Sequence, residues 1–127
     1  MTDTDDTRPG SAAILAVSII ALMLALAVSA AAWVMMLNSR ASFLKMFDEM
    51  GVLLPVVTAF ALSPLFHCII PVLALASIIK EPLVRNKTLT TILNGFHLCL
   101  IPVIYTIYHQ AMMMPMVRLM ENMGKSP

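Results

Sequence analysis

Three stretches without a charged side chain fill most of this chain: Ala12–Leu37, Val52–Ile79 and Thr88–Met114. About 20 helical residues cross the roughly 30 Å hydrocarbon core of a bilayer, and each stretch exceeds that length. Lipid offers the backbone no hydrogen-bond partner, so a segment that spans it is expected to be an α-helix. The expected fold class is an all-α integral membrane protein with three transmembrane helices and a short C-terminal interfacial helix.

Composition agrees. Hydrophobic residues make up 60% of the chain and charged residues only 12%, against about 25% charged in an average soluble domain. No charged segment between the runs approaches the roughly 50 residues of a separate soluble domain. Residues 1–127 therefore read as a single membrane domain. It comprises an acidic tail (1–11), a first helix (12–37), a loop (38–51), a second helix (52–79), a polar turn (80–87), a third helix (88–111) and a Met-rich amphipathic end (112–127). The net charge of +1 carries no basic cluster of the kind that nucleic acid attracts, and no water-facing catalytic domain is expected.

Val28-Ser29-Ala30 has the look of a signal-peptide cleavage site. However, the leader holds Asp3, Asp5 and Asp6 against a single Arg8, and the apolar core far exceeds the about 7–15 residues of a signal. The first helix reads as a retained anchor. Cys68 and Cys99 fall inside expected spans, where a thiol acts as a small apolar group.

Three crossings put the termini on opposite sides. Lysine and arginine totals tie between the two sides, so orientation rests on density beside the membrane. Lys80, Arg85 and Lys87 crowd the second turn, which is expected to be cytoplasmic. The N-terminus is then inside and the C-terminus outside. Trp33 is expected as an interfacial anchor at the outer end of helix one, with Tyr105 and Tyr108 at the matching end of helix three. The run MMMPMVRLMENM is expected to start a helix at Pro115 that lies along the outer interface.

Helix one carries small residues at four-residue spacing: Ala13, Val17, Ala21, Ala25 and Ser29. Such residues let two helices approach closely. The candidate packing interface, Ala21, Ala25 and Ser29, serves either the other helices of this chain or a neighbouring subunit. Helix two has Ala59, Ser63, His67, Ala74 and Ser77 in one sector, and helix three has Thr90, Asn94, His97, Tyr105 and Tyr108. Polar groups in hydrocarbon need partners, so the polar stripe of Ser63, Asn94 and Tyr105 is expected to pair across the two helices. The simplest pairings are Ser63 with Tyr105, and His67 with Asn94 or His97. Pro64, Pro71 and Pro102 are expected to bend their helices.

Two histidines on facing helices can also supply axial ligands to a haem, so His67 and His97 are the candidate cofactor-binding residues. The methionine run Met112–Met114, with Met116, Met120 and Met123, reads as interfacial filling rather than a copper site, since three in a row cannot share one helical face. Ser63 and His67 stand at i, i+4 with no acid to orient them. No carboxylate is expected inside any span, which argues against a proton or ion path.

Phe43 to Ser63 reads FLKMFDEMGVLLPVVTAFALS. This resembles the membrane hairpin of type II secretion system F proteins and their type IV pilus platform relatives, whose short non-cytoplasmic loop has the form F-x-x-x-F-x-x-x-G-x-x-L-P-x-x-T. Phe43, Phe47, Gly51, Leu54, Pro55 and Thr58 occupy those positions. The resemblance covers about residues 30–79 and implies that the first loop faces outward. Where that family carries cytoplasmic helical domains, this chain has the short turn 80–87.

The expected function is that of a non-enzymatic subunit of the bacterial inner membrane, multi-pass and without a cofactor. It would stabilise or help assemble a larger integral membrane complex, whether for secretion or pilus assembly, respiration or photosynthesis. Membrane lipids are expected around it, homo-oligomerisation would use the same faces, and no nucleic-acid partner is expected. The alternative is a bis-His haem or metal-binding membrane electron carrier using His67 and His97.

Overall fold

A computed structural model describes residues 9–51 and 53–124. The acidic residues of the tail and the last three residues lie outside that range. The described chain is 91% helix without strands. Its elements are α1 (Pro9–Met50), α2 (Val56–Ala61), α3 (Pro64–Leu83) and α4 (Lys87–Met123). Three of these helices are long and apolar enough to cross a membrane, within Ala12–Met50, Pro64–Leu83 and Lys87–Glu121.

Helix boundaries differ from the sequence expectation in four places, each for a physical reason. The expected loop 38–51 is helical through Met50. Charge marks where a membrane span is expected to stop, but it does not break a helix, and the stretch holds no glycine or proline before Gly51. Gly51 turns the chain at φ +61°, a conformation that costs other L-residues about 1–2 kcal/mol. Trp33 consequently sits within α1, not at its end.

The expected second helix is two helices. Pro64 has no N–H to offer the preceding turn, and Ser63 takes an extended backbone and caps α3 by accepting from the Phe66 N–H at 3.3 Å. At its other end, α3 continues past Ile79 to Leu83, so Lys80 and Glu81 belong to a helix rather than a turn. Finally, α4 runs unbroken through Pro102 and Pro115. The Met-rich end is the continuation of α4 and not a separate interfacial helix.

Connectivity and contacts make α1 and α4 parallel, with α3 antiparallel to both. Ser18 meets Asn94 near one end, and Met36 meets Tyr108 nearer the other. α1 packs most extensively on α4. The buried positions explain the fit. On α1, Ser18, Leu22, Ala25, Ser29, Ala32 and Met36 turn inward at alternating spacings of four and three. On α4, Thr90, Asn94, His97, Ile101, Ile104 and Tyr108 do the same. That 3.5-residue period is the seam along which two helices stay in register over a long contact. The α1 side is mostly Ser and Ala, which lets α4 come close. Toward the α2 end the seam turns aromatic: the Phe66 and Tyr108 rings stack at 6.2 Å, and His67 meets Tyr108 edge-on at 5.6 Å.

Candidate functional site: a polar seam among three helices

The inward positions of α3 continue the same alternation through His67, Ile70, Ala74, Ser77 and Glu81. Three seams carrying polar residues therefore meet along one line, and the side chains distribute into layers. In the central layer, Ser29, Ser77 and His97 are all buried. Ser29 Oγ donates to the Ala25 carbonyl at 2.6 Å, so toward the His97 Nε2, 3.0 Å away, it can only accept. Nε2 then carries the ring hydrogen, and Nδ1 accepts from the Ser77 hydroxyl. The three groups satisfy one another completely with a neutral imidazole.

One turn nearer the α3–α4 connection lies a charged layer. Lys80 Nζ donates to Asn94 Oδ1 at 2.6 Å, and Asn94 Nδ2 donates to the Ser18 carbonyl at 3.2 Å. Ser18 Oγ donates to Glu81 Oε1 at 3.2 Å, while Glu81 Oε2 is buried without a partner. A carboxylate and an ammonium thus lie within α3, just past the uncharged run that ends at Ile79, and share one network with α1 and α4.

Three further contacts follow one rule. Pro71 has no N–H for the carbonyl four residues back, which is His67; Trp33 Nε1 donates to that carbonyl at 3.0 Å. Pro115 leaves the Ala111 carbonyl without its helical donor, and Thr58 Oγ1 donates to it at 2.8 Å. Because Ser63 Oγ takes the Phe66 N–H, the Leu62 carbonyl is also left over, and Arg40 Nε donates to it at 2.8 Å. The carbonyls freed by Pro71, by Pro115 and by the break at Ser63 are each served by a side chain from another helix. A freed carbonyl without water costs several kcal/mol in a lipid setting, so these contacts explain how Pro71 and Pro115 are accommodated.

The residues singled out from the sequence fall as follows. Ala25 and Ser29 are buried against the chain's own helices and Ala21 is half-buried, whereas Ala13 and Val17 are exposed. Ala25 and Ser29 thus serve the bundle itself. Asn94 is fully buried in the charged layer. Ser63 caps α3 and does not reach Tyr105; Tyr105 is half-buried beside the His109 ring, at 6.4 Å. The inward tyrosine is Tyr108, whose hydroxyl lies 3.2 Å from Ser39 Oγ and from the Met36 carbonyl.

His67 and His97 do not bond to each other or share a partner. Nδ1 of His67 donates to the Ser63 carbonyl at 2.9 Å, and its Nε2 is buried unpartnered. With both nitrogens of His97 engaged, the pair does not present the two free imidazole nitrogens that axial ligation needs. Among the described residues, no three His, Cys, Asp or Glu side chains gather as a metal-binding group. Cys68 and Cys99 are free and exposed on the outside of the bundle.

Sequence reasoning missed Ser18, Lys80 and Glu81, and the capping roles of Trp33, Arg40 and Thr58. The four-three alternation carried the signal for Ser18 and, reaching past the end of the uncharged run, for Glu81; Lys80 lies one residue off it. The signal for two of the caps was the residue four before each proline. No family model matches this chain, and no curated protein or solved structure matches it.

Proposed function

We propose that this chain is a non-enzymatic, multi-pass subunit of the bacterial inner membrane that packs against larger membrane proteins and stabilises or helps assemble their complex. One observation carries the reading: most polar side chains turned inward are bonded to the chain's own helices, while the outer surface along the three uncharged stretches is mainly apolar. Exposed large apolar residues include Ile20, Met23, Val34, Leu65, Val72, Ile92 and Phe96. A bundle built this way has its polar groups closed against solvent and offers its outside to acyl chains or to other helices.

The α3–α4 connection carries Arg85, and Lys87 opens α4, which supports a cytoplasmic placement for that end and for the N-terminus. At 1.5 Å per residue the 42 residues of α1 extend about 63 Å, so its charged end at Lys45–Glu49 reaches the head-group level of the opposite bilayer surface and beyond. There it offers partners a charged, solvated helix end, while the apolar faces offer them a lipid-depth surface.

The test is a native purification in gentle detergent, with mass spectrometry of the fraction that contains the chain. Migration in a large assembly with defined stoichiometric partners is the expected result. A lone particle of one or a few copies would remove the subunit reading.

A further inference from the structure

A groove of about 420 Å³ opens between α2 and α4, lined by Thr58, Thr106, Ile107, Gln110 and Met114 with Arg118 at its end. The Thr58 and Thr106 hydroxyls already serve the Ala111 and Pro102 carbonyls, which leaves the Gln110 amide as the free polar group along an otherwise apolar wall. Charge is confined to one end. Arg118 is exposed, and its side chain leans toward the N-terminus of its helix, back along the groove. Among the described residues the ion pairing is that of Lys45 with Glu49, so no carboxylate within 4 Å neutralises Arg118.

We propose that this groove holds one phospholipid, with an acyl chain lying between α2 and α4 and the head-group phosphate on Arg118. The dimensions fit one chain rather than a helix. Thr106 to Arg118 is about 18 Å of helix at 1.5 Å per residue, close to the roughly 15 Å of one leaflet's hydrocarbon. With about 30 Å³ for each water-sized unit, the groove takes on the order of a dozen methylenes, whereas a partner helix is about 10 Å across. The charge fits too, since a guanidinium matches a phosphate in bidentate geometry. The proposal rests on the membrane placement proposed above.

The test uses the full chain, purified in mild detergent, equilibrated with mixed phosphatidylglycerol and phosphatidylcholine, and read by native mass spectrometry. The expected result is one phosphatidylglycerol retained per chain. Arg118→Gln should lower that retention about tenfold, and Thr106→Phe, which fills the groove, should do the same. Lys45→Gln, a lost cation elsewhere, should leave it unchanged. Helix content by circular dichroism shows that each variant is folded. Equal retention by all four proteins would mean adventitious surrounding lipid only and would overturn the proposal, as would a protein partner protecting the groove in place of lipid. Membrane fractionation of the unaltered chain separates the two readings: a chain found in the membrane that keeps no lipid defeats this inference alone, and a chain absent from the membrane defeats both.

Discussion

Trp33, Arg40 and Thr58 each give a hydrogen to a carbonyl on another helix that has lost its own donor. This makes their energetic roles conditional, and the condition can be tested. Trp33→Phe keeps most of the ring but leaves the His67 carbonyl unserved, which should cost about 1–3 kcal/mol. In a Pro71→Ala background the helix regains its own N–H for that carbonyl, and the same Trp33 change should then cost little. A double-mutant cycle read by denaturant unfolding in detergent should show a coupling above about 0.5 kcal/mol; additive effects would show that the indole is not replacing the proline's missing donor. Thr58→Val with Pro115→Ala forms a second, independent cycle. At this scale the sequence was half legible. Pro71 and Pro115 announce which carbonyls are freed, but the donors lie 34 to 53 residues away along the chain. Only the register of the packed helices pairs them. His97 shows the same limit: its polar sector was readable, but its pairing with Ser29 and Ser77 rather than His67 depends on α1 lying beside α4.

Among the elements, the turn at Gly51 and the break at Ser63 position everything that follows α1. A Cβ at Gly51 would meet nothing within 4 Å, so Gly51→Ala should be penalised for its backbone conformation alone, by about 1–2 kcal/mol. Ser63→Ala removes the cap of α3 and should cost about 1 kcal/mol. Thermal unfolding followed by circular dichroism checks both; an unchanged midpoint for Gly51→Ala would argue against the φ of +61° at that turn. Helix existence was legible from the three uncharged runs, since their length and apolarity leave few other structures. Helix ends were not. Lys45 and Glu49 stand one turn apart on the exposed face of α1 at 3.8 Å, and such side chains continue a helix into water as readily as they end a membrane span. For the same reason Lys80 and Glu81 looked like a turn, while the backbone carries them into α3, where they meet Asn94 and Ser18.

For the whole molecule, the claim on which the others depend is that the bundle sits in a bilayer with its apolar exterior facing lipid. Two native reporters lie on that exterior. Cys68 and Cys99 are exposed on the outside of α3 and α4, each well inside its apolar stretch, where a water-soluble, charged reagent does not enter the hydrocarbon to reach them. The most direct measurement is labelling of intact membranes with a water-soluble, membrane-impermeant maleimide, beside the same sample unfolded in detergent. Negligible labelling of both cysteines in intact membranes, with full labelling after unfolding, is the predicted result. Rapid modification of either cysteine in intact membranes would place that face in water and contradict the account.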